Sequence, residues 1–393
     1  MDECKVIVNT GLRGVTVAST RISDVDGKKG RLIYRGYLVG DLAKRAGFEE
    51  TVYLLLYEKL PGKDELARFK ERLAAERSIP EAVAEALKTC PADSLPMDIL
   101  QAGVSLLANH DAEAGSQTKA AAERKAVRLI AKFPVLLGAW GRIRLGLEPV
   151  QPAADLDHGA NFLYMLSGER PAEDAAHYMD VALVLHAEHS FNASTFTARQ
   201  VASTRAHMYA SVSAAVGSLS GDLHGGANVR VMQMLKEIGA VERVEEYITA
   251  QLDAGQLIFG LGHAVYKVDD PRAKILAPMS ATIGRRIGEP QWYEISRALE
   301  EKSKALFKER KGIDIFTNVD FYSASLYYAL GIPIDFFTPV FAVSRVAGWT
   351  AHVIEEQYAG AAEKPALYRP ASDYVGNYCG PDECTFVPID ERR

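Results

Sequence analysis

The chain is poor in cysteine. Its 393 residues hold four, Cys4, Cys90, Cys379 and Cys384, too few and too scattered for a disulfide framework. Cys379 and Cys384 are the only near pair, and no second Cys/His pair stands beside them to complete a zinc site, so they read as free thiols, with a tail disulfide as the lesser alternative. Long apolar runs are also missing. The stretch from Phe133 to Trp140 is far too short to span a bilayer, so no membrane association is expected. The start, Met1-Asp2-Glu3-Cys4-Lys5, is acidic with no apolar run behind it and reads as neither signal nor transit peptide. A reducing, cytoplasmic location is the expectation. Basic charge is not in excess: 45 Lys+Arg against 51 Asp+Glu leave −6, which argues against nucleic-acid binding. Small anions are not excluded, because a few focused arginines outweigh a global sign. Repeats, low-complexity segments and Gly/Ser linkers are absent. With 48% hydrophobic and 24% charged residues, the composition excludes disorder and is that of a globular chain.

What is present is mostly helical text. Leu66, Phe69 and Leu73 recur at helical spacing between Asp64 and Ala74. Ser78-Ile79-Pro80-Glu81 has the form of a capping box, with Val83 and Leu87 following on one face. The segment from Phe48 to Glu58 stops at Leu60-Pro61-Gly62. Lys119 to Phe133, Ala160 to Leu166 and Asp174 to Ala187 read alike. Strand signals are few: Val6-Ile7-Val8, Val15-Thr16-Val17, Leu32-Ile33-Tyr34 and Thr385-Phe386-Val387. Glycines cluster between Gly217 and Gly262, which suggests a smaller domain over 220–325 inserted into a larger one formed by 1–219 and 326–393.

Two glycine-flanked histidines stand out, in Leu223-His224-Gly225-Gly226 and Gly260-Leu261-Gly262-His263. Glycine beside a histidine lets backbone or ligand approach closely. A histidine at a helix start feels the positive end of the dipole and stays neutral, able to donate to a carbonyl oxygen. His186 and His189 lie three apart, a spacing that puts both on one helix face, but no HExxH metal arrangement is formed. No G-x-S-x-G elbow accompanies His224-Gly225-Gly226, no third glycine completes a dinucleotide fingerprint, and Asp24-Val25-Asp26-Gly27 is too short for a calcium loop and reads as a turn. Asp270-Pro271-Arg272, Asn318-Val319-Asp320 and Ser344-Arg345 follow in the chain. Two histidines, one carboxylate and several arginines suit proton abstraction beside a carbonyl in an anionic substrate.

In this order the motifs resemble the citrate synthase family. The likeness runs almost end to end, from Gly11-Leu12-Arg13-Gly14-Val15 and Leu32-Ile33-Tyr34-Arg35-Gly36-Tyr37 through His186-Ala187-Glu188-His189, Gly262-His263-Ala264-Val265-Tyr266-Lys267 and Asp320-Phe321-Tyr322 to Arg369-Pro370. The resemblance implies an all-α, two-domain homodimer, in which a small domain closes over substrate. It implies an acyltransferase of the tricarboxylic acid cycle that joins acetyl-CoA to oxaloacetate, the acyl group becoming an alkyl on transfer. Acetyl-CoA is then a substrate, and neither cofactor nor metal is called for. Position by position, Asp320 is the expected base, His224 the group that stabilises the enol, and His263 the one that polarises the oxaloacetate carbonyl. Arg272 and Arg345 are expected to hold carboxylates, with Arg369 arriving from the partner subunit and His189 touching oxaloacetate. Lys267 and Lys311 match positions that meet CoA phosphates.

The sequence departs from common family text at Asp222, Val229, Ala264, Gln101 and Ala324. Asp222 matters most, because a carboxylate aimed at His224 would favour imidazolium. A cap on the following helix is its simpler role. These departures bear on CoA affinity and acyl choice more than on reaction type. The same residues suit a 2-methylcitrate synthase using propionyl-CoA, since one methylene alters discrimination by only about 1–3 kcal/mol. A catalytically silent paralogue that senses CoA or a carboxylate is the reading from another class.

Overall fold

The computed structural model describes residues 10–12, 14–263, 265–374, 376 and 387–392. The strand expected at Val6-Ile7-Val8 lies outside these residues, as do Thr385 and Phe386 of the last expected strand, Cys4, Cys379, Cys384 and Ala264. Cys90 is a half-buried free thiol.

The fold is all-α. After a small sheet come α1 (Val39–Arg45), α2 (Phe48–Tyr57), α3 (Lys63–Ala75), α4 (Glu81–Lys88), α5 (Pro96–Asn109), α6 (Lys119–Ile143), α7 (His158–Ser167) and α8 (Glu173–His186). They are followed by α9 (Ala193–Ser203), α10 (Met208–Leu219), α11 (Ala227–Ile238), α12 (Val244–Asp253), α13 (Pro271–Arg286), α14 (Gln291–Lys311), α15 (Val319–Ala329) and α16 (Phe337–Gln357). The expected helices are present with shifted ends. Helix α6 runs past Phe133 and through Pro134, carried by its packing on α7 and α16. Helix α4 begins at Glu81 without a side-chain cap, so Ser78 is not its N-cap; the Ser78 carbonyl instead accepts from the Lys132 ammonium.

The sheet is antiparallel, in the order β1 (Ser23–Asp26), β2 (Arg31–Tyr34), β3 (Tyr37–Leu38). Val15-Thr16-Val17 is not a strand. Ser23 pairs with Tyr34 and Asp26 with Arg31. Asp24, Val25 and Asp26, expected as a turn, belong to β1 instead; the turn spans residues 27–30, and Asp26 Oδ1 supports it by accepting from the amides of Lys28 (3.1 Å) and Lys29 (3.0 Å).

Helix α16 is the axis of the core. Every residue from Phe337 to Glu356 is buried, so the helix is covered all round, by α6, α8, α9, α10 and α2 among others. Trp349 on α16 and Trp140 on α6 are fully buried, and truncating either to alanine would cost about 3–5 kcal/mol. Gly348, in the middle of α16, is required by close approach. A Cβ there would lie 2.2 Å from Glu188 Oε2 and 2.5 Å from Ala187 O. The segment that joins α8 to α9 therefore lies directly on α16. Helices α11 to α15 pack mainly on one another, α13 on α15 and α14, α12 on α14, and α11 on α15. Contacts of α11 with α16, and of α13 with α1 and α8, join this group to the rest. No helix among the described residues is long and apolar enough to cross a membrane.

Candidate active site

Two short segments form a ladder that sets the site. Leu261 bridges Thr317, the Gly262 amide donates to Phe316 O (2.7 Å), and the Asn318 amide donates to Gly260 O (2.9 Å). His263 leaves one side of the ladder and Asp320 the other. Asn318 caps α15, its Oδ1 accepting from the Asp320 amide (3.1 Å), so Asp320 lies in the first helical turn.

Asp320 is half-buried, and no side chain among the described residues donates to its carboxylate oxygens. Burial pushes its pKa up to about 6, against the pull of Arg272; Asp270 adds to the rise and Arg345 opposes it. The group stays largely ionised at neutral pH yet is far more basic than a free carboxylate, which is what abstraction from carbon needs.

The two glycine-flanked histidines are neutral and carry opposite tautomers. The Ser194 amide donates to His224 Nε2 (3.2 Å), and Ser194 Oγ lies 2.8 Å from the same nitrogen. An amide donor needs a lone pair at Nε2, which assigns the ring proton to Nδ1. Ser194 is itself held by Trp349 Nε1 (3.1 Å) and Asn192 Oδ1 (2.8 Å). In His263, Nδ1 accepts from the amides of Val265 (2.9 Å) and Tyr266 (3.1 Å), so the proton sits on Nε2. Burial, helped by Arg345 for His224 and by Arg272 for His263, pushes both pKa values down to about 4. Asp222 does not disturb this. It turns away to Arg230 (3.0 Å), and it does not cap α11, which starts without a side-chain cap.

Two guanidiniums flank the histidines. Asp270 caps α13 and grips Arg272 through Nε (3.0 Å) and Nη2 (2.7 Å). Burial works against the Arg272 charge, but Asp270 outweighs it and raises the pKa. Arg345 rises from α16 with Nε on the His186 carbonyl (2.8 Å) and its guanidinium over the Phe341 ring (4.6 Å). Burial lowers its pKa to about 10, so it remains charged. Both its Nη nitrogens lack partners among the described residues. Asp270 compensates Arg272, so Arg345, buried and held only by a carbonyl, is the cation that calls for an anion.

His189 and His186 part company. Helix α8 ends at His186, so the two do not share a helix face. His186 is fully buried, with Nδ1 on Ala182 O (2.7 Å) and its ring against Phe341, a structural histidine. His189 lies beyond the helix, with Nε2 3.3 Å from the Tyr266 hydroxyl and its ring 5.6 Å from that of His263. Burial, Arg272 and Arg345 hold it neutral.

Asp320, His224, His263, His189, Arg272 and Arg345 all line one cleft of about 660 Å³. Three expected residues do not. Arg369 is exposed on the segment after α16. Lys267 is exposed, two residues beyond the cleft-lining Val265. Lys311 is exposed at the end of α14, its ammonium over the Phe307 ring. Gln101, Val229 and Ala324 also lie outside the cleft lining. Sequence reasoning gave no role to Ser194, Tyr266 or Asn318. A cap residue two before Asp320 was the one signal available for Asn318; the other two act through tertiary contacts.

Residues 11–371 match the family described as "Citrate synthase, C-terminal domain". The chain is 46% identical over 383 residues to citrate synthase 2 of Bacillus subtilis, covering 97% of this chain and 98% of that one. It is 40% identical over 377 residues to a 2-methylcitrate synthase of Shewanella oneidensis, covering 96% and 97%. The crystal structure of citrate synthase from Pyrobaculum aerophilum superposes with a TM-score of 0.88 at 40% identity, covering 97% of this chain and 95% of that one. Likeness of this depth over nearly the whole length makes the chain a member of the citrate synthase family.

Proposed function

We propose that this enzyme condenses acetyl-CoA with oxaloacetate and hydrolyses citryl-CoA to citrate and CoA. The observation that carries the reading is the convergence, in one cleft, of an unpaired carboxylate, two neutral imidazoles of opposite tautomer and two guanidiniums with free ends. Asp320 removes a proton from the acetyl methyl group. His224 Nδ1–H donates to the thioester oxygen as charge develops there; losing one such donor costs about 3–4 kcal/mol. His263 Nε2–H polarises the ketone of oxaloacetate, and the enol carbon attacks it. Arg272 and Arg345 hold the carboxylates, in a geometry a lysine does not reproduce. His189 adds a further contact to oxaloacetate.

The remaining parts of the reading rest on family likeness. The protein acts in the cytoplasm as a homodimer, and Arg369 of the partner subunit completes the carboxylate grip. Lys267 and Lys311 meet the CoA phosphates. The 220–325 unit closes over the unit formed by 1–219 and 326–393, excluding water during condensation and admitting it for thioester hydrolysis. Oriented substrates of this kind account for roughly 7–11 kcal/mol of barrier at best.

A second reading is favoured by the 2-methylcitrate synthase among the relatives: propionyl-CoA as the acyl donor. Release of free thiol, followed with oxaloacetate and matched concentrations of acetyl-CoA or propionyl-CoA, separates the two. Faster release from acetyl-CoA is expected. A clear propionyl preference makes the enzyme a 2-methylcitrate synthase. Turnover of neither makes it a silent sensor of CoA or carboxylates.

A further inference from the structure

The β1–β2 hairpin touches both loops that carry the cleft histidines His189 and His263. At its open end, Ser23 Oγ accepts from the Ser190 amide (3.0 Å) and donates to Glu188 Oε1 (2.9 Å). Tyr34, opposite Ser23 in the ladder, has its hydroxyl 3.2 Å from the Glu188 amide and 2.9 Å from the Glu188 carbonyl. Glu188 and Ser190 flank His189. Ser190 holds φ at 50°, a left-handed conformation that a non-glycine residue keeps when its surroundings enforce it.

At the turn end, Gly27 O accepts from the Lys267 amide (2.8 Å). A Cβ on Gly27 would lie 2.2 Å from Val265 O and 2.8 Å from its carbonyl carbon. Gly27 has no positive φ, so close approach is its reason for being glycine. The contact reaches the chemistry directly, because the Val265 and Tyr266 amides are the donors that fix the His263 tautomer. The Tyr266 hydroxyl, 3.3 Å from His189 Nε2, closes the ring of contacts.

We propose that this hairpin is a positioning element for oxaloacetate recognition: Ser23 at one end sets the loop of His189, and Gly27 at the other sets the amides that hold His263 with its proton on Nε2. The role deepens the reading of the cleft as an oxaloacetate site and rests on it. Gly27 and Ser23 touch no substrate; they act through the two histidines. A displacement of about 1 Å at a reacting group is enough to cost up to a hundredfold.

The test is Gly27→Ala in the full chain, read by steady-state kinetics, thermal unfolding and ¹⁵N NMR of histidine-labelled protein, with His263 assigned from His263→Gln. The KM for oxaloacetate should rise about ten- to a hundredfold, with the KM for acetyl-CoA within about threefold. The His263 Nδ1 signal should leave the shift of an unprotonated acceptor for that of a tautomer mixture. Ser23→Ala, which introduces no clash, should raise the oxaloacetate KM about tenfold, and Ser23→Thr should restore it. A folded Gly27→Ala protein with unchanged oxaloacetate KM and unchanged His263 shifts overturns the proposal. So does an equal loss for both substrates with a lowered melting temperature and unchanged shifts. The nitrogen shifts judge the hairpin even if the wild type turns over neither acyl-CoA, an outcome that would remove only the proposed function.

Discussion

Ser194 and His224 meet twice at one nitrogen: the serine amide is 3.2 Å from Nε2 and the serine hydroxyl oxygen 2.8 Å. Backbone, rather than a titratable group, thus decides where the imidazole proton sits. His224→Leu keeps volume but removes the donor, and kcat should fall about 10²–10³-fold. Ser194→Ala keeps the amide and therefore the tautomer, so its loss should stay under about tenfold. Equal losses in the two variants would show that the hydroxyl, not the amide, assigns the proton.

Asp320 should set the acid limb of activity. Its pKa of about 6 means that kcat/KM rises with pH through that value and flattens above it. His224 and His263, held near 4, stay neutral over this range and add no second limb. Asp320→Asn should lose turnover by about 10²–10⁴-fold, while calorimetry still detects oxaloacetate binding. Undiminished turnover would remove Asp320 as the base.

Asp222→Ala should be nearly silent. The side chain faces Arg230 at the surface, away from the imidazole. We expect kcat within about twofold of wild type and an unchanged pH profile. An acid limb that moves in this variant would mean that Asp222 does reach His224 in the working enzyme.

Stability should carry its own pH signature from Asp180 on α8, whose Oδ1 accepts from the Phe48 amide at the start of α2 (3.0 Å). Burial, and then the neighbouring Glu49 carboxylate, push its pKa up to about 7 from 3.8. Between these values the folded chain binds a proton that the unfolded chain has released. The stabilisation is full below the unfolded value and is lost as pH rises toward about 7, by up to about 1.4 kcal/mol per unit. Asp180→Asn retains an acceptor for the amide, so it should flatten this dependence and raise the melting temperature at pH 8. A lower melting temperature at pH 8 would contradict the assignment.

Much of the architecture could be read from periodicity, because long amphipathic helices such as α3 and α6 carry their own signal. The site's cast could be read from ordered motifs. The failures have one cause, which is long-range contact. The spacing of His186 and His189 is helical, yet the helix stops between them. Arg345 Nε donates to the His186 carbonyl (2.8 Å) and the Gly348 amide to the Ala187 carbonyl (3.1 Å), replacing donors that another helical turn would have supplied. Ser78 has the letters of a cap, but its carbonyl is claimed by Lys132 from another helix. The tautomers of His224 and His263 depend on amides of Ser194, Val265 and Tyr266, and an amide has no side-chain letter to announce it.

The ladder between residues 260–262 and 316–318 has a consequence for how activity returns after unfolding. It joins groups as far apart in the chain as Gly262 and Asn318, 56 positions, with α13 and α14 in between. Closing so long a loop is disfavoured until the intervening helices have docked. His263 and Asp320 therefore become neighbours late. In a refolding time course, helical circular dichroism should recover first, and thiol release should follow only when the two ends of that loop have met.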